Sequence, residues 1–95
     1  MARREVTGED LERELLDQDD IDLLRRHGIA APHLHGARTR EIVLVGRLQR
    51  ALGLSGLLRD GLYGCRTHTL LRDKELPLGP ELSSIVRAWG EAHHR

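Results

Sequence analysis

The chain has 95 residues, 15 Lys/Arg against 15 Asp/Glu, 39% hydrophobic residues, one cysteine, and only Tyr63 and Trp89 as large aromatics. That length makes one domain of marginal stability, and eighteen leucines with few aromatics suit packed helices better than a β-sandwich. A single cysteine excludes an internal disulfide, and the longest apolar run, Ile42 to Val45, is too short to span a bilayer. Residues 1–6 lack the apolar segment of a secretory signal, so a cytoplasmic setting is expected.

Residues 1–24 carry nine acids against Arg3, Arg4 and Arg13, a net charge of −6. Thr7 followed three residues later by Asp10 is a capping signal for a helix with Leu11, Leu15 and Leu16 on one face. Asp19 with Asp22 repeats the pattern ahead of Ile21, Leu23 and Leu24. Residues 1–28 therefore hold either one acidic helix or two short ones broken near Asp17. Arg25, Arg26 and His27 suit the negative end of the helix dipole. Gly28 ends the segment in the left-handed conformation, with Ile29 as the apolar contact beyond it.

Pro32 and Gly36 make residues 30–37 a loop. The charge then reverses: residues 25–74 hold ten Lys/Arg against Glu41, Asp60 and Asp73, a net +7. Ile42, Val43 and Val45 favour a strand, but the run into Gln49-Arg50-Ala51-Leu52 predicts a helix from about Arg40 to Leu52. Thr39 would cap it, with Ile42, Val45, Leu48 and Leu52 inward. Leu48, Leu52, Gly53, Leu54, Ser55 and Leu62 fall at the offsets of a helix-turn-helix across residues 40–63. Ser55 would cap its second helix, Gly56 to Leu62. Gln49 stands where that motif places a small residue, and Arg59 where it places an apolar anchor.

Beyond Gly64 the period changes to two, with Cys65, Thr67 and Thr69 on one side and Arg66 and His68 on the other. Arg72-Asp73-Lys74 reads as a turn and Glu75 to Leu78 as a returning edge strand that tolerates Pro77. Residues 65–78 thus predict a two-stranded wing. Gly79-Pro80 opens a last helix over residues 80–93, with an apolar stripe of Leu82, Ile85, Val86, Trp89 and Ala92. The expected fold class is mainly α with a small β-hairpin, a winged helix-turn-helix in one domain.

The segment Leu57-Leu58-Arg59-Asp60-Gly61-Leu62, the charged hairpin, Leu76-Pro77-Leu78-Gly79 and the run Ala88-Trp89-Gly90-Glu91-Ala92-His93 together resemble a known family. They are similar to the C-terminal part of HxlR-type winged-helix regulators, within the MarR-like group, over about residues 57–95. Asp60-Gly61-Leu62 and Trp-Gly-Glu-Ala-His match that pattern. The Thr expected after Leu78 is absent, as are a Cys-Pro opening and a Gly-Gly-Lys-Trp segment upstream. The resemblance implies a homodimeric transcription regulator on duplex DNA, paired through the last helix (Leu82, Ile85, Val86 and Trp89). On the physical reading Arg47, Arg50, Ser55 and Arg59 would meet phosphates and base edges. Arg66, His68, Arg72 and Lys74 on the hairpin would reach phosphates or the minor groove.

His33-x-His35 and Cys65-x-x-His68 could supply four zinc ligands, but alternating strand geometry sends Cys65 and His68 to opposite faces. No metal or cofactor is favoured. The chain has no Gly-rich phosphate loop, no His-Glu-x-x-His and no nucleophile elbow, so an enzyme is not expected. The zero net charge supports a second reading without DNA. In it a small adaptor or inhibitor, built on a degenerate winged helix, binds a basic protein surface through its acidic N-terminal helix.

Overall fold

The computed structural model describes residues 7–13, 15–29 and 36–93. In chain order these form α1 (Gly8–Leu11), α2 (Gln18–Arg26), α3 (Ala37–Ala51), a 3₁₀ turn (Gly56–Leu58), α4 (Cys65–Lys74) and α5 (Pro80–Ala92). Two short acidic helices occupy the N-terminal region, each opened by a reciprocal capping box. In α1 Thr7 accepts from the Asp10 N–H and in α2 Asp17 accepts from the Asp20 N–H, while the third residue's carboxylate returns to the cap's own N–H. The cap of α2 is thus Asp17, two residues earlier than Asp19. Gly28, at φ 78°, stops α2, and the Ile29 N–H donates back to the Leu24 carbonyl at 2.9 Å.

The central element is α3, which begins at Ala37 behind Gly36 rather than at a Thr39 cap. Eight consecutive residues, Ile42 to Gln49, are buried, so this helix is enclosed on all sides. One side packs Leu44, Leu48 and Leu52 against Leu11, Leu71 and Leu82; the other sets Ile42 and Val43 against Leu23 and Leu24. Truncating Leu48, which has no exposed surface, would cost roughly 2–5 kcal/mol in lost transfer energy and cavity.

The expected wing and recognition helix are both corrected. Among the described residues there is no strand: residues 65–74 form α4, and residues 76–79 run without regular structure into α5. Thr67 and Leu71, one helical turn apart, are the buried residues of α4, so the Cys/Thr alternation belongs to a helix and not to a pleat. Strand propensity of threonine reflects packing context, and here the context is a helical site with a hydrogen-bond donor waiting for Thr67. Glu75 takes the left-handed conformation at φ 49° and closes α4. The second helix of the supposed helix-turn-helix shrinks to the Gly56–Leu58 turn, because Gly56 and Gly61 adopt φ of 59° and 74°. The all-helical described architecture replaces the winged helix-turn-helix.

Candidate functional site

The register of α3 turns Arg47 into the interior, and the rest of the chain is arranged to receive it. Its Nε and Nη2 donate to Asp20 Oδ2 at 3.0 and 2.6 Å. Nη1 donates to the Leu11 carbonyl at 3.1 Å, and further bonds reach the carbonyls of Arg13 and Leu15. The carbonyls of Leu11, Arg13 and Leu15 therefore converge on one guanidinium. Arg59 enters from the opposite side: its Nε donates to the Gly46 carbonyl at 2.8 Å, Nη1 to the Asp19 carbonyl at 3.3 Å, and Nη2 to Asp20 Oδ1 at 3.4 Å. Asp20 is fully buried and both arginines nearly so, which makes a buried Arg–Asp–Arg cluster with every buried polar side-chain atom among the described residues satisfied.

Arg50 lies at the edge of this cluster, half-exposed, with Nη1 at 3.2 Å from Asp17 and 2.9 Å from Asp19. Burial works to raise the Asp17 carboxyl, but the Asp20 N–H and the Arg50 guanidinium outweigh it and hold the group below its usual range. Burial, reinforced by the nearby charge of Arg50, pushes the Arg59 guanidinium below its ordinary value despite the pull of Asp20. Asp17, Asp19 and Asp20 of the acidic N-terminal region thus pair with Arg47, Arg50 and Arg59 of the basic middle within one molecule.

A second network fixes residues 54–63, the connection between α3 and α4. Arg26, at the end of α2, donates to the carbonyls of Gly56 at 3.2 Å and Arg59 at 2.9 Å. His27 Nε2 donates to the Asp60 carbonyl at 2.7 Å. Gln49 is buried in α3: its Oε1 accepts from the Gly61 N–H at 2.9 Å, and its Nε2 faces Asp60 Oδ1, the Leu62 carbonyl and Thr67 Oγ1 at 2.9, 3.1 and 3.0 Å. Gly61 lies flat on α3, where a Cβ would come within 2.8 Å of Ile42 Cγ2. Held from beneath by these four side chains, Arg26, His27, Gln49 and Arg59, the loop turns three leucines outward. Leu57 is 87% exposed, Leu58 47% and Leu62 57%.

The residues expected to read DNA do not converge. Arg47 and Arg59 are buried and Arg50 is ion-paired, while Ser55 precedes the 3₁₀ turn, exposed and with no side-chain cap bond. Arg66, Arg72 and Lys74 are exposed on α4. Six residues on a helix of 3.6 residues per turn set Arg66 and Arg72 about 120° apart. Arg72 pairs with Asp73 at 3.8 Å. His68 is half-buried, its Nδ1 2.9 Å from the Tyr63 hydroxyl and its ring 4.8 Å from Trp89. Trp89 also stacks on His93 at 4.3 Å, and burial pushes the Tyr63 phenol up to about 12.

In the last helix Leu82 is fully buried in the chain's own core, with Ile85 and Val86 packed against it, so Leu82 has no surface to offer a second subunit. Of the proposed zinc ligands, His33 and His35 lie outside the described residues. Cys65 is exposed, and among the described residues no group of three or more His, Cys, Asp or Glu could hold a metal ion. No described helix is long and apolar enough to cross a membrane.

The residues that sequence reasoning missed are Arg26, His27 and Gln49, the supports of the loop, and Glu12. Glu12 Oε2 accepts from the N–H groups of Glu81 at 2.9 Å and Leu82 at 3.1 Å and so caps α5, whose own Gly79 has no side chain to do it. Gln49 and Arg59 did carry a signal, as the two departures from the helix-turn-helix pattern. Compared with known proteins, the chain matches no family model, no curated protein and no solved structure.

Proposed function

We propose that this protein is a small helical protein–protein interaction module, cytoplasmic in setting, that docks through Leu57, Leu58 and Leu62. The observation that carries the reading is the rigid support of an apolar loop. Four polar side chains from beneath or within the loop fix its backbone, yet three of its leucines are left in water. Exposed apolar clusters on small domains mark interaction sites, and a loop ordered before binding loses little further entropy on docking. The acidic N-terminal segment is the weaker candidate for the partner surface, because Asp17, Asp19 and Asp20 engage the chain's own arginines. The duplex-DNA reading is weakened for the matching reason: affinity for phosphate grows with the cations available to it, and Arg47 and Arg59 are committed internally.

The test uses the full chain as bait in its source lysate, as wild type and as a Leu57→Asp/Leu58→Asp variant. A protein retained by the wild type and lost by the variant is expected; equal recovery by both overturns the reading. In parallel, a mobility shift on random duplex at low and moderate salt is expected to show no band. Salt-dependent binding that survives Leu57→Asp/Leu58→Asp and is lost on Arg66→Ala/Arg72→Ala would reinstate the DNA reading.

A further inference from the structure

We propose that the last turn of α5 is a proton-operated latch, held on Trp89 when His93 is charged and loosened when it is neutral. The device stands apart from the Leu57–Leu58 loop and is built from four rings that the docking surface does not use. His93 stacks on Trp89 with ring centres 4.3 Å apart and planes 21° from parallel. Its Nδ1 lies 2.8 Å from the Trp89 carbonyl oxygen, which also accepts the His93 backbone N–H at 3.1 Å. Trp89 is fixed in turn by other parts of the fold. The His68 ring of α4 lies 4.8 Å from it, and the Tyr63 ring meets it edge-on at 5.6 Å. The Tyr63 hydroxyl closes the cluster on His68 Nδ1 at 2.9 Å.

A proton on His93 acts in three ways, all in one direction. The charged ring always has an N–H on Nδ1 to donate to the Trp89 carbonyl, whereas the neutral ring has it in only one of two tautomers. The charged ring also places a cation on the face of an indole. Finally, His93 is the C-cap of α5, where the helix dipole is negative. Together these effects raise the ratio of held to loosened turn by roughly tenfold. The surrounding charges do not reverse the sign. Arg38 and Glu41 of α3 line the same hollow as His93 with opposite charges. Tyr63 stays neutral, because burial pushes its phenol up to about 12. From α4 the titratable neighbour is His68. On α5 itself Arg87 and Glu91 stand about 120° and 160° round the helix from His93.

The turn ends a hollow of about 370 Å³ lined by Ile42, Leu62, Tyr63, Ile85, Trp89 and Ala92, with His93 at its margin. Held, it closes that end and keeps the indole against α4. Loosened, it opens the apolar lining to solvent. Acid therefore covers this lining, and neutral pH exposes it.

The experiment follows the full chain from pH 5 to pH 8, the range in which histidine changes charge. Trp89 is the one tryptophan, so its fluorescence reports the stack, and backbone carbon shifts of residues 90–93 report the helix end. As pH falls, the emission of the wild type is expected to drop and the helical shifts of residues 90–93 to grow, in keeping with a roughly tenfold change in the held fraction's ratio. His93→Phe keeps a stacked ring without a titrating charge, and its helix end is expected to be independent of pH. The position is exposed, and unchanged far-ultraviolet circular dichroism checks the fold. His94→Gln, which removes the adjacent imidazole, should leave the transition in place. Wild-type shifts at residues 90–93 that do not respond to pH overturn the proposal. A transition that survives in His93→Phe or disappears in His94→Gln overturns it too, by assigning the proton to another group.

Discussion

Replacing Asp20 with alanine tests the interior directly. The substitution removes the one carboxylate shared by Arg47 and Arg59 and leaves two guanidinium groups in a site from which water is excluded. Breaking a buried ion pair by deleting one partner costs about 3–5 kcal/mol, chiefly the penalty of a stranded charge. Lost hydrogen bonding to the Asp17 N–H, at 3.0 Å, acts in the same direction. For a domain of this size each 1 kcal/mol lowers the melting temperature by roughly 4–8 °C, so a drop of at least about 12 °C is expected. The control is Arg50→Ala. Its carboxylate partners Asp17 and Asp19 lie at comparable distances but its own side chain is 45% exposed, so the loss should stay below about 1 kcal/mol. Thermal and urea unfolding followed by circular dichroism give both values. If Asp20→Ala and Arg50→Ala cost the same small amount, Arg47 and Arg59 are solvated in solution, and the argument that removes them from the surface fails.

Gln49→Leu should cost about 1–3 kcal/mol by orphaning the buried Gly61 N–H, and hydrogen exchange at Gly61 and Leu62 should quicken while the amides of α2 do not. Gly61→Ala should destabilise by more than about 1 kcal/mol, since φ is 74° and Ile42 stands in the way; an equilibrium unfolding curve superimposable on the wild type would contradict the close approach. Absorbance titration of Tyr63 should find its midpoint near 12 instead of the ordinary 10.0, because burial disfavours the phenolate. The stabilisation is whole below pH 10.0 and is lost as pH rises towards 12, so alkaline unfolding should be shallower in Tyr63→Phe. The Arg40 hydrogen bond holds the Glu81 carboxyl below its ordinary 4.5; that contribution is present above pH 4.5 and disappears as acid titrates the folded group. Acid unfolding of Glu81→Gln should show a smaller loss of stability across that window.

The elements that sequence reasoning located well are those whose signal is local. Thr7 with Asp10 is read from a side chain that caps a backbone group three residues away; Asp17, which caps α2, carries the same kind of signal two residues ahead of the expected Asp19. Gly28 and Pro80 act through their own backbone dihedrals and missing atoms. The helix expected from about Arg40 to Leu52, observed as Ala37–Ala51, followed from its continuation into Gln49 and Arg50, against the β-branched run near its start. The wing failed because alternation over Cys65 to Thr69 spans only five residues and fits a helix that buries Thr67 and Leu71 equally well. The recognition helix failed because Gly56 and Gly61 can take positive φ, and nothing within the segment says whether they do.

The arginines are where the structure departs furthest from the expectation drawn from sequence. A sequence shows a guanidinium as a charge, and a cluster of them between positions 47 and 72 as a surface for phosphate. Only the fold reveals that Asp20, 27 and 39 residues away from Arg47 and Arg59, lies between the two.

By itself the sequence determined a small, leucine-packed, largely helical domain and where several of its helices begin and end. Those properties depend on composition, on period and on bonds that close within one turn. The tertiary structure alone decided which charges face water, which cap comes from Glu12 across the molecule, and which leucines stay outside. Burial and pairing over tens of residues depend on how helices pack, and no short window of sequence contains that information.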